Sequence, residues 1–196
     1  MITGNTTYAK MMLPAPVRVW RYRLQPMTVG HYALLCRLGH PVVESDQVLQ
    51  AGDLATAIWV LKNDHQESYK LLGSSAQQKF VVKVGKYISK KSGLHVSVLN
   101  DFYRYWAWQH VSYDIWQKED EGSEKEKSMS WLQTIRWMLM SEWGYSATEV
   151  MDMPYKLAVN DALGAMVAHG KLEFVSDKQV ARREFLQSKM KESSNA

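Results

Sequence analysis

Residues 140–167, MSEWGYSATEVMDMPYKLAVNDALGAMV, decide the fold. A helix arriving at Trp143 meets Gly144, whose missing side chain suits the left-handed backbone that closes helices. Ser146, followed three residues later by Glu149, has the form of a capping box and opens a short helix. Pro154 then interrupts the chain and restarts it, since proline is tolerated in a first helical turn. Beyond it Leu157, Asp161 and Gly164 follow one ridge, while Ala158, Ala162, Ala165 and Val167 allow another helix to approach closely. Gly170 closes this helix. The stretch is a helix–break–helix corner.

The same grammar extends in both directions. Upstream, Ser130 with Gln133 is a second capping pattern, opening a helix in which Trp131, Ile135, Met138 and Leu139 share one side. Before it lies KEDEGSEKEK, Lys118 to Lys127, charged at every position but Gly122 and Ser123 and without an apolar residue, which reads as a solvated loop. Downstream, Ser176 and Gln179 open a polar helix near residues 177–191, and Leu172 to Val175 has a weak strand signal.

Toward the N-terminus, a helix is expected after Gly93, over residues 96–117, with aromatics on much of its circumference. Residues 64–91 read as two helical pieces broken near Gly73, the first opened by Asp64 and Glu67 in capping-box form. Asp53 caps a strongly apolar helix over residues 54–63. Thr28 caps a helix to Leu38, with Val29, Tyr32, Ala33 and Cys36 on one apolar face and Gly39 at its end. Pro41 is expected to stop any continuation. Residues 17–22 alternate Val17, Val19, Trp20 and Tyr22 with arginines, as a short strand or extended arm would.

The expected architecture is all-α, an irregular bundle of about six to eight helices with a short β element near the N-terminus. Its parts are an N-terminal arm (1–27), a helical body (28–117), a charged loop (118–128) and a C-terminal helical unit (129–192) packed on the body.

Composition narrows the function classes. A net charge of +4 over 196 residues falls short of a nucleic-acid-binding tail. Cys36 is the one cysteine, so an intrachain disulfide is excluded and a reducing cytoplasm is expected. No apolar run approaches the ~18 residues of a spanning helix, and the first residues lack the pattern of a secretory signal. Eight Trp, ten Tyr and eleven Met supply large adaptable side chains suited to a core or a partner surface.

The chain carries no Gly-rich phosphate loop, no H-E-x-x-H and no paired cysteines. His31, His40, His65, His95, His110 and His169 are scattered one per element, and His31, off its apolar stripe, reads as a surface or boundary residue. Cys36 reads as a buried structural thiol. No catalytic residue, cofactor or metal is expected. Lys79, Lys83, Lys86 and Lys90 form one basic stripe, read as the solvated side of an amphipathic helix rather than a phosphate-binding strip. The turn at Trp143 to Ser146 has a helix-turn-helix outline, but Glu149 and Asp152 have the wrong sign for a groove reader.

Two parts of the chain do resemble a known family. Met27-Thr-Val-Gly-His-Tyr-Ala-Leu-Leu-Cys-Arg-Leu-Gly-His-Pro41, followed by Gly52-Asp-Leu-Ala-Thr-Ala-Ile-Trp-Val60, is similar to a pattern in tail assembly chaperones of tailed bacteriophages. Glu142-Trp-Gly-Tyr-Ser146 and Glu149-Val-Met-Asp-Met-Pro154 resemble a second such segment, with Tyr145 where a Trp is more usual. The resemblance implies a helical, cofactor-free binding protein of the host cytoplasm that keeps the elongated tape-measure protein soluble during tail assembly. The candidate partner surface it suggests is Trp143, Tyr145, Met151, Met153, Pro154 and Tyr155, joined by Trp106 and Trp108. The alternatives are a structural tail or virion component, and a small phage DNA-binding protein using the lysine stripe.

Overall fold

A two-strand hairpin leads into the helices. The computed structural model describes residues 16–44, 48–109, 115–117, 131–170 and 172–174. Strand β1 (Val17–Val19) pairs antiparallel with β2 (Tyr22–Leu24), Val17 opposite Leu24 and Val19 opposite Tyr22. Trp20 makes the tight reversal with φ +52°, and right-handed strand twist favours that backbone in two-residue turns. Val19 and Leu24 are fully buried, while Arg18, Arg21 and Arg23 face solvent. Trp20 stacks on Tyr87 at 5.4 Å and Tyr22 meets Phe80 at 5.4 Å, which holds the arm against the body.

The expected helix positions largely hold. Helix α1 (Val29–Arg37) is capped by Thr28, and Gly39 takes φ +58° after it. The first helix ends before Pro41, which itself starts a short helix, α2 (Pro41–Glu44), because its fixed φ suits a first turn. Helix α3 (Ala51–Lys62) begins earlier than expected, since the cap is Gln50 and Asp53 is its capping-box partner at the third position. Its run Leu54, Ala55, Ala57–Leu61 is buried, making it the central element. Helix α4 (His65–Lys70) is capped by Asp64, which accepts from the Gln66 N–H at 2.8 Å and is also stabilised by the Glu67 N–H, without the reciprocal Glu67 contact of the expected capping box. Ser74 caps α5 (Ser75–Ser89), whose Val84 and Ile88 pack inward.

The expectation for residues 96–117 needs correction at both ends. Helix α6 runs Ser92–Gln109, with Gly93 inside its first turn. Ile115–Gln117 is a strand, β3, paired antiparallel with β4 (Leu172–Phe174). Helical spacing at residues 115–117 is a local signal, and the choice belongs to a strand partner far along the chain. The remaining helices are α7 (Trp131–Trp143), α8 (Ala147–Asp152) and α9 (Tyr155–Ala168). Gly144 and Gly170 take φ of +71° and +67° at their bends. Ser146 accepts from the Glu149 N–H, and Glu149 accepts from the Ser146 N–H at 2.8 Å, completing the box. Pro154 serves as the cap of α9 rather than its first turn.

One core unites both halves. Leu35 of α1, Ile58 of α3, Phe102 and Tyr105 of α6, Ile135 and Leu139 of α7, and Ala158 and Ala162 of α9 belong to the same buried cluster. The alanines let α9 approach closely, as their small side chains predict. The loop expected at 118–128, the cap at Ser130 and the helix near 177–191 lie outside the described residues.

Candidate functional site

The two family-like stretches meet through their backbones. The Val29 N–H donates to the Met153 carbonyl at 3.0 Å, and the Tyr155 N–H donates to the Met27 carbonyl at 2.8 Å. Thr28 and Pro154 thus face each other in an antiparallel bridge. Proline suits that position because the bridge takes nothing from its nitrogen. The segment before the bridge is held from other sides. The Met27 N–H donates to Gln109 Oε1 at 3.1 Å, the Tyr105 hydroxyl to the Gln25 carbonyl at 2.7 Å, and the Gln25 N–H to the Leu61 carbonyl at 2.8 Å. Residues 25–28 therefore join α3, α6, α8 and α9. Pro26 ensures that one fewer backbone donor needs a partner there.

Next to this junction, the expectation for His31 fails. The ring is only 2% exposed and completes a capping box. Its Nδ1 accepts from the Thr28 N–H at 3.1 Å and its Nε2 reaches the Asn63 carbonyl at 2.9 Å, which selects the neutral tautomer protonated at Nε2. Burial pushes its pKa below the ordinary histidine value, against the opposing pull of the Asn63 carbonyl. A helical wheel placed His31 off the apolar stripe. It could not show that this side of the helix faces the loop after α3.

His65 lies edge-on to His31, ring centres 5.7 Å apart, and packs flat on the α1 backbone at Gly30. A β-carbon on Gly30 would sit 2.2 Å from His65 Cδ2. Glycine inside a helix costs about 1 kcal/mol against alanine, and this close approach is the reason for it here. His65 Nε2 is 3.5 Å from Asp152 Oδ1, and its Nδ1 is 3.9 Å from Asp64 Oδ2. Both are beyond good hydrogen-bond length.

Between α1, α4 and α8 runs an open groove of about 420 Å³. Ala33, Leu34 and Met151 supply apolar wall, His65 and Gln66 one end, and Arg37, Tyr69 and Lys70 the rim. Arg37 Nη1 donates to the Tyr69 hydroxyl at 3.2 Å, and the guanidinium lies 5.2 Å from the Tyr69 ring centre. Cys36 is half-buried rather than buried, because the inward face of α1 is Leu34, Leu35 and His31 instead of the Tyr32–Cys36 stripe.

The candidate partner residues separate into two groups. Met153 and Tyr155 are buried, at 9% and 3% exposure, and Tyr155 stacks on Tyr32 at 4.3 Å. They belong to the core, where the bridge to α1 draws them inward. Pro154, Tyr145 and Trp106 are half-buried, Trp106 stacking between Tyr32 and Phe102. Met151 is half-buried on the groove wall. Trp143 (57% exposed) and Trp108 face solvent, the latter with its carbonyl accepting from Lys156 Nζ at 3.2 Å. Trp137 and Met140, which the reading of α7 passed over, are exposed beside Trp143 at three-residue spacing. Lys79, Lys83, Lys86 and Lys90 are all exposed, on the side of α5 opposite Val84 and Ile88.

Among the described residues, no group of three metal-ligating side chains converges and no helix is long and apolar enough to cross a membrane. Comparison with protein-family models, curated proteins and solved structures finds no match to this chain.

Proposed function

We propose that this chain is a non-enzymatic binding protein of phage tail morphogenesis that chaperones the tape-measure protein. One observation carries the reading: the two stretches that resemble tail assembly chaperones, distant in sequence, are hydrogen-bonded to each other and together flank an amphipathic groove. Met151, beside Ala33, offers adaptable apolar surface there, and a long helical client presents apolar side chains that need cover before assembly. If a tape-measure gene lies immediately downstream, co-expression with its product tests the reading. Co-purification and a rise in the client's soluble fraction are expected. A client that stays insoluble and does not co-purify overturns the reading.

The exposure of Lys79, Lys83, Lys86 and Lys90 favours a second reading, phosphate-backbone binding along α5. Its mark is duplex-DNA binding that weakens steeply with salt. The exposed Trp137, Met140 and Trp143 suit a third reading, a tail component retained in the particle, which mass spectrometry of purified particles decides.

A further inference from the structure

We infer that the groove between α1, α4 and α8 receives one bulky apolar side chain from a helical segment of a protein partner whose carboxylates fall at the Arg37 and Lys70 end. The inference rests on the protein-binding reading above and names the chemistry of the segment bound.

Three observations lead to it. The groove is open to solvent and its walls at Ala33, Leu34 and Met151 are apolar. Its volume of about 420 Å³ accommodates a leucine, phenylalanine or tryptophan side chain. Arg37 and Lys70 are both exposed at the rim, so that end carries positive charge that a segment with one or two carboxylates complements. Arg37 is already held in place by the Tyr69 hydroxyl and ring. A prepositioned arginine beside a half-exposed tyrosine loses little side-chain freedom on binding, and these are residue types that anchor interfaces. Asp64 and Asp152 flank the other end, beside His65. The groove is therefore polar along its length and selects one orientation of the incoming helix, acidic side toward Arg37.

The test uses the full chain and three synthetic helical peptides of about 15 residues, each with the same leucine anchor and with Glu, Gln or Lys one turn away. Binding is followed by fluorescence anisotropy and by the methyl spectrum of methyl-labelled methionines, Met151 being assigned through Met151→Leu. The Glu peptide is expected to move the Met151 methyl and to bind on the order of tenfold more tightly than the Lys peptide at low salt, the gap narrowing as salt rises. Arg37→Glu with Lys70→Glu, both at exposed positions, is expected to invert that order while leaving the circular dichroism unchanged. Equal binding of the three peptides, no binding by any, or shifts confined to other methionines overturns the proposal. The tail reading fails separately. If the Glu peptide binds as expected but the tape-measure protein does not co-purify, the groove assignment stands and the tail assignment falls. If the tape-measure protein co-purifies equally with wild type and the double variant, the groove assignment falls alone.

Discussion

Gly30 and Gly52 occupy the same position, the second residue, of α1 and α3, yet alanine should act in opposite directions at the two. Replacing glycine by alanine in a helix gains about 1 kcal/mol from the reduced freedom of the unfolded chain. At Gly52 a β-carbon meets nothing within 4 Å, so most of that gain should appear. At Gly30 the same carbon would lie 2.2 Å from Cδ2 and 2.5 Å from Cγ of His65. Cγ is the root of the ring, so a small swing does not relieve the clash, and His65 is only 7% exposed with little room to move. Overpacking of this kind costs about 1–3 kcal/mol and a forced rotamer about 1 kcal/mol. The net expectation for Gly30→Ala is a loss of about 1–3 kcal/mol, or a fall in Tm of roughly 2–12 °C for a chain of this size. Urea and thermal unfolding of both variants measure it. The double variant Gly30→Ala with His65→Ala should recover part of the loss through their coupling. A Gly30→Ala protein as stable as wild type would refute the claim that His65 dictates glycine at this position.

Three further outcomes follow from the same geometry. Burial holds His31 and His40 below the ordinary histidine value, opposed by their carbonyl partners Asn63 and Asp53; the unfolded chain therefore takes up protons first, and stability present above about pH 6.5 should decline as pH falls through that value toward the lowered ones. His31→Gln with His40→Gln should flatten that slope in unfolding measured from pH 7.5 down to about 5, and an unchanged slope would contradict it. Tyr105→Phe removes the donor to the Gln25 carbonyl from a site 1% exposed and should cost about 1–2 kcal/mol in urea unfolding; a neutral result would mean that residues 25–28 are secured without it. Lys83→Glu with Lys86→Glu, on the exposed side of α5, should change stability by less than about 0.5 kcal/mol; if the wild type binds duplex DNA with a steep salt dependence and this variant does not, the stripe is a working site.

Much of the corner was legible locally. Gly144 and Ser146 with Glu149 act through their own backbone geometry and stand where their chemistry suggested, while Pro154 restarts the chain one position earlier, as the cap of α9. Thr28, Gly39 and Gly170 likewise stand where their chemistry suggested. What failed locally was assignment of faces. Tyr155 and Met153 looked like a partner surface because aromatic and sulfur side chains suit interfaces as well as cores, and only the bridge to Met27 and Val29 turned them inward. His31 looked peripheral for the opposite reason, since nothing near it in the chain announces the Asn63 carbonyl.

The amino-acid sequence by itself determined where most of the described helices lie and several of their caps and breaks, because these depend on contacts within about four residues. It also determined a chemistry without paired cysteines or phosphate loops. Tertiary structure alone decided that residues 115–117 form a strand with 172–174, that residues 25–28 tie four helices together, and that Gly30, His65, Arg37 and Met151 border one groove. Those outcomes rest on partners tens of residues away, and a local pattern carries no record of which distant carbonyl or ring will arrive.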